Sequence, residues 1–418
     1  MKSKLLATAL ASLVAASASA SGYQVNTLGL KNNGMGHTGT GLALDQAALF
    51  FNPGALAMVR QNGVQLGVSA VISRTKFSEP NTFAIAEVEN NVSTPFHFYG
   101  SYGFMEDQKL RVGIGVYTPF GSTVEYQAGW IGENMLDQLS LQTIFVQPTV
   151  SYAFSDKVSI GAGFVYAFGG VNLQRNIPLT DINGNNGQAE LDGKASGMGF
   201  NVGVYVKPSE KISLGVSYRS KVDMEVSGGD ATFTGLPAAA ASNFTATQFD
   251  ASLPMPSSLN FGIGVMPTEK LTIAADVNLI GWSAYESLDF TYNGTAGGVT
   301  SSSSPRKYED SYAVRLGTQY MVTESFALRL GAYYDKTPVQ AGFMTAETPD
   351  SDRIGITGGL GYRLGEHFNL DLSLIYIEGK ERTQTQAEVD AAGTTASTLA
   401  GTWKTKVLLP GIGLTVNF

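Results

Sequence analysis

Across residues 211–226 apolar and polar side chains alternate almost without interruption. Ile212, Leu214, Val216, Tyr218, Val222, Met224 and Val226 share one parity, broken only by Ser220. Lys211, Ser213, Gly215, Ser217, Arg219, Lys221, Asp223 and Glu225 share the other. A period of two predicts a β-strand with one apolar and one polar face. Globular strands average about 5–6 residues, whereas a tilted strand needs roughly 9–11 to cross a bilayer. A run of this length therefore predicts a spanning strand, with its apolar face toward lipid and its polar face toward a lumen along the whole run. The same rhythm returns at 158–168, 271–279, 326–334 and 368–376.

Short polar turns separate these runs near Glu106-Asp107, Ser155-Asp156, Pro208-Ser209, Pro267-Thr268, Thr323-Glu324 and Gly365-Glu366. Longer polar connections alternate with them, near 78–91, 119–139, 176–194, 228–250, 291–305, 336–350 and 380–398. Short turns on one side and long loops on the other are the habit of outer-membrane barrels. Six turns and seven loops join fourteen strands, an even number that places both chain ends on the periplasmic side. The predicted fold is all-β: a transmembrane antiparallel β-barrel of 14 strands over residues 61–418.

The two ends of the chain agree with that reading. Lys2 and Lys4, an apolar run over 5–16 and the small residues Ala18-Ser19-Ala20 make residues 1–20 a secretory signal peptide, too short for a membrane helix. At the other end Leu408, Ile412, Leu414, Val416 and Phe418 share one parity, with Pro410 among them. A terminal aromatic after alternating apolar residues resembles the signal by which barrel-assembly machinery recognises its clients. The expected location is the bacterial outer membrane, with its lipid as the surrounding partner.

Composition changes this picture little. With 15% charged residues and 27 Lys+Arg against 35 Asp+Glu, a net −8, the chain is no nucleic-acid binder. The absence of Cys removes disulfides, thiol catalysis and Cys-ligated metal. His37, His97 and His367 are scattered and complete no catalytic constellation. No phosphate-binding loop or metal motif stands out, so neither an enzyme nor a cofactor is expected.

Residues 21–60 do not alternate. They are rich in Gly, with a short helix expected around 42–49, and their apolar residues Leu42, Leu44, Leu49, Phe50, Phe51 and Leu56 need a surface to cover them. The segment is expected to fill the lumen as a hatch.

Here a family resemblance becomes specific. Ser21-Gly22-Tyr23-Gln24, the Gly-rich run, and Phe51-Asn52-Pro53-Gly54-Ala55-Leu56 resemble the N-terminal hatch of the FadL family, outer-membrane transporters of long-chain fatty acids and other hydrophobic compounds. The family pattern is Asn-Pro-Ala; this chain has Asn52, Pro53 and Gly54. The stretches 120–126, 214–220, 311–317, 335–339 and 348–353 resemble family segments in the family's order. The matches span essentially the whole mature chain.

A water-filled pore is a poor route for such cargo, since each CH₂ leaving water is worth roughly 0.8 kcal/mol. An apolar pocket with a sideways exit into lipid suits it better. Pro119-Phe120-Gly121 interrupts the third strand after a regular run, and Pro and Gly weaken a ladder. Either the strand ends there or it kinks. The resemblance implies a kink that serves as a lateral gate, with Pro119, Phe120 and Gly121 as gate residues. The segment 119–139 is apolar for an exposed loop, with Phe120 and Trp130 as candidate ligand contacts. For a carboxylate head group the resemblance points to Arg175, with Arg306 and Lys307 as weaker candidates, and to Tyr23 at the pocket floor. An open diffusion porin, an aromatic-hydrocarbon channel and a non-transporting partner of export machinery stay open as alternatives.

Overall fold

The alternating runs become strands that pair antiparallel with their sequence neighbours until the last closes on the first. A computed structural model describes residues 22–418, apart from 81, 83, 90, 91 and 105–107. The expected signal peptide and the expected turn at Glu106-Asp107 fall outside the described residues.

We number the barrel strands β1 to β14. β1 is Gly63–Ser69 continued by Val71–Ser78, β2 is Phe96–Phe104, and β3 is Leu110–Tyr117 continued by Gly121–Glu125. β4 is Gln138–Ser155, β5 Val158–Thr180, and β6 Asn186–Ser209. β7 is Ile212–Arg219 continued by Val222–Thr234, and β8 Gln248–Met255 continued by Ser257–Thr268. β9 is Leu271–Gly281, β10 Ser311–Met321, β11 Phe326–Asp335, β12 Arg353–Leu364, β13 Phe368–Gly379, and β14 Gly401–Asn417. β14 pairs with β13 on one side and with β1 on the other, from Gly63 against Asn417 to Ser78 against Thr402. The fourteen strands close on themselves, which is what lets a β-structure sit in hydrocarbon.

Three loops differ from the sequence expectation. The strands run on into the segments expected as loops at 176–194 and 228–250, and 291–305 is mostly a hairpin of Ser287–Ala296 and Val299–Pro305. Strand three does not end at Pro119: after three residues it resumes.

The largest departure concerns the faces. Ile212, Leu214, Val216 and Tyr218 point outward and are exposed, as expected, while Ser213 and Ser217 are buried inside. Beyond Ser220-Lys221 the same parity turns inward, so Val222, Met224 and Val226 are buried. The register explains it. Between the pairs Arg219–Asn201 and Glu225–Ser196 there are five residues on β7 but four on β6. One extra residue is a β-bulge, and it exchanges the two faces. β3 behaves alike: between Tyr117–Phe145 and Gly121–Gln142 it has three residues against two on β4.

Residues 22–59 lie inside the barrel, while Arg60 is exposed and pairs with Asp156. The helix expected around 42–49 is displaced: helical residues are Leu30–Gly34 and Ala48–Phe51, followed by a 3-10 turn over Pro53–Met58. Leu42 instead joins Met35 and Ala274 in a small cluster against the wall.

Candidate functional site

The hatch is held by its backbone. Its carbonyls accept hydrogen bonds from wall side chains: Ser213 Oγ donates to Gly41 O at 2.7 Å, Ser217 Oγ to Phe51 O at 2.8 Å, and Gln147 Nε2 to Leu49 O at 3.0 Å. Asp276 accepts from the amides of Gly39 and Thr40 at 2.8 and 2.9 Å. An irregular segment in a lumen must find partners for its peptide groups, and the inward parity supplies them. Asn52 ties the motif together. Its amide donates to Thr40 O and Val204 O at 2.9 and 3.0 Å, while its side-chain oxygen accepts from Gly54 N at 3.0 Å. The glycine that departs from the family motif is explained by contact: a Cβ on Gly54 would lie 2.6 Å from Gly203 O on β6.

Above the hatch the lumen is apolar. An inner cavity with an empty volume of about 850 Å³ is lined by Leu139, Leu141, Met224, Val226, Phe249 and Leu253 among others. Its charged lining residues, among those described, are Arg306 and Glu347, and both also border an outer cavity that reaches the extracellular loops. Arg306 is 2% exposed and stands at the neck between the two spaces. Its Nη2 lies 3.5 Å from Glu347 Oε1, its Nη1 donates to Ser304 Oγ at 2.6 Å, and its Nε donates to Tyr285 OH at 3.3 Å.

Tyr23 also lines the inner cavity, beside the Tyr285 that holds Arg306. Its hydroxyl donates to Pro254 O on β8, and its ring meets Trp282 edge-on at 4.9 Å and Tyr285 at 5.8 Å. Its carbonyl accepts from Gly121 N at 2.9 Å, while Val25 N donates to Pro119 O at 2.8 Å. Residues 23–25 thus fill part of the ladder that the bulge in β3 leaves open, through a single bridge between Gln24 and Phe120. On the far side of Gly22 a smaller space is lined by Ser73, Thr75, Thr123, Asp350 and Thr405. Gly22 N donates to Asp350 Oδ2 at 3.2 Å.

The family model for outer membrane protein transport proteins (OMPP1/FadL/TodX) matches residues 11–418. The chain belongs to this family. Such proteins are outer-membrane β-barrels that transport hydrophobic compounds, and they are not enzymes. This FadL-family chain is 27% identical to the 47 kDa outer membrane protein of Pasteurella multocida, over 95% of the chain and 96% of the relative. It is 24% identical to the long-chain fatty acid transport protein of Escherichia coli O6:H1, over 93% of each. Its fold matches a Pseudomonas aeruginosa FadL homologue with a TM-score of 0.82 at 19% identity, covering 95% of this chain and 100% of that one. The P. putida toluene transporter TodX matches with a TM-score of 0.71 at 17% identity, covering 93% and 98%.

Against the family fold, the residues singled out in the sequence fall into different places. Tyr23, Pro119, Phe120 and Gly121 come together at the bulge of β3, and Phe120 is buried against Tyr23 and Phe145 with ring centroids 6.1 and 5.9 Å apart. Trp130 lines neither cavity. It is buried, stacked on Tyr126 at 3.9 Å, and its indole donates to Leu136 O at 2.8 Å. With Phe77 and Trp403 it forms an aromatic cluster that packs the loop onto β1 and β14. Other apolar residues of the segment do not join this packing: Ile131 is exposed, Met135 borders the outer cavity and Leu139 the inner one. Arg175 is exposed in the outer cavity, away from the apolar pocket. Arg306, the weaker candidate by sequence, holds the position at the neck. Glu347 went unnoticed, because it sits in a long loop with no periodicity to mark its direction.

Proposed function

We propose that this chain carries out passive uptake of long-chain fatty acids or similar hydrophobic compounds. Cargo is admitted through the outer cavity, binds in the inner apolar cavity with its polar end at Arg306, and leaves sideways into the membrane beside Gly121. The observation that carries this reading is the continuity at Tyr23. One residue lines the apolar cavity and, through its carbonyl, occupies Gly121 at the break in β3. Withdrawal of Tyr23 joins the cavity to the interruption in the wall. A lipophilic exit of this kind spares the alkyl chain from water, at roughly 0.8 kcal/mol per CH₂. Delivery to the membrane runs through barrel-assembly machinery that reads the strand ending in Phe418.

Uptake of labelled oleate by cells whose only such transporter is this chain tests the proposal. Gly121→Val should lower the rate about tenfold with the barrel still folded, because a Cβ there meets little more than Leu141 O at 3.2 Å. Unchanged oleate uptake in that variant removes the gate. An aromatic-hydrocarbon channel would instead show toluene uptake that exceeds oleate uptake; the buried guanidinium at the neck favours the acid. A large steady single-channel conductance would identify an open porin, and unaltered uptake after deletion of the chain would identify a non-transporting partner.

A further inference from the structure

Arg306 and Glu347 are unequally held. Arg306 is fixed on all sides: its backbone N donates to Glu286 O at 2.8 Å, and its side chain is bonded to Ser304 and Tyr285. Glu347 approaches the guanidinium with one oxygen at 3.5 Å, a long distance for a charged pair. Its other oxygen is buried and has no hydrogen-bond partner. A buried carboxylate with an unsatisfied oxygen is a costly arrangement. The cation is therefore a permanent part of the site, whereas its anion is poorly seated and borders an outer cavity where it can be hydrated.

We propose that Glu347 is an internal substitute for a ligand carboxylate. It neutralises Arg306 while the channel is empty, and an incoming long-chain acid displaces it. A ligand carboxylate at the neck can meet the guanidinium with two oxygens at normal distance, which Glu347 does not do. A neutral molecule of the same length gains nothing by displacing Glu347 and lies below an intact pair. The pair thus selects acids over neutral compounds by competition, without a free positive charge in an apolar neck. This inference rests on the uptake reading above and adds the residue that sets the preference.

The test is equilibrium binding of oleate and of oleyl alcohol, which share one alkyl chain, to the full mature chain in amphipol. The readout is the ratio of the two affinities, with folding followed by heat-shifted electrophoretic mobility. Glu347→Gln removes the competitor and should raise the oleate preference about tenfold, the scale of one charge-assisted hydrogen bond. Glu347→Ala should raise it as well, and Arg306→Gln should lower it about tenfold. A ratio that falls or stays unchanged in folded Glu347→Gln and Glu347→Ala overturns the role of Glu347 while wild-type binding upholds the uptake reading. Failure of the wild type to bind either compound overturns both.

Discussion

β6 and β7 lie side by side and solve one problem in opposite ways. Both cross the membrane and then continue above it, where the demands on the two faces are exchanged. Within the bilayer the outer face must be apolar; above it the outer face meets water and the inner face encloses a greasy cavity. β6 keeps its geometry and changes its sequence. Its outward residues are Met198, Phe200, Val202 and Val204 below and Gln188, Asp192, Lys194 and Ser196 above, while Leu191 lines the cavity. β7 keeps its alternation and changes its geometry, through the extra residue at Ser220-Lys221. Lys221 and Asp223 then pair outside at 2.9 Å, and Met224 and Val226 reach the cavity. An unbroken hydrophobic period therefore does not guarantee an unbroken face.

Reversing the polarity of the inward face above the bulge breaks the comparison most severely. Met224→Asp places a carboxylate on the buried face that the bulge turns toward the cavity, at several kcal/mol per ion. The expected outcome is loss of oleate binding, with the heat-shifted mobility of the barrel retained. Unchanged oleate binding in folded Met224→Asp would show that the bulge does not turn this face toward the ligand.

Next in size is a contrast between an inward glycine of the lower wall and a glycine of the upper wall. In the lower half a side chain on Gly215 would overlap the Thr40 carbonyl, so Gly215→Val should unseat the hatch, at about 1–3 kcal/mol or more, and raise single-channel conductance. In the upper half Gly170 borders the cavity and a Cβ there lies 3.4 Å from Gly193 O, so Gly170→Ala should leave conductance unchanged. Equal effects of the two would deny that hatch contact is confined to the lower lumen.

Asn52→Ala removes three hydrogen bonds at a fully buried position and should weaken hatch seating by about 1–3 kcal/mol, read as faster hydrogen exchange over 38–56. The smallest effect lies outside the membrane. Asp137, in the segment between β3 and β4, has its carboxyl pushed up from 3.8 to about 6, first by burial and then by Glu133. The folded loop binds this proton more tightly than the unfolded one, so its stability is greatest below about 4 and falls as pH rises through about 6. Asp137→Asn should abolish the difference in loop protection between pH 4.5 and pH 7.

The break in β3 and the pocket were legible to different degrees for physical reasons. Pro119 and Gly121 are conspicuous because Pro cannot donate to a ladder and Gly weakens one, so an interruption showed in sequence. That β3 resumes beyond it depends on pairing with β4 and on the hatch residues that patch the gap. Trp130 looked like a ligand contact because an apolar loop suggests a patch; its partners Phe77 and Trp403 come from the two ends of the barrel, and only closure brings them near. Arg175 and Arg306 are indistinguishable as isolated basic residues, and the folding of the 287–305 hairpin over the barrel mouth decides which one meets the cavity.

Sequence by itself determined the class of fold, the number of strands, the membrane address and the presence of a lumenal hatch. All of these follow from local periodicity, turn chemistry and the two ends of the chain, which need no long-range contact. Tertiary structure decided which face points where above the bulges, which glycines admit the hatch, and that Arg306 and Glu347 meet at the neck. Those outcomes depend on strand register and on loops folding back, and a single inserted residue is enough to reverse them.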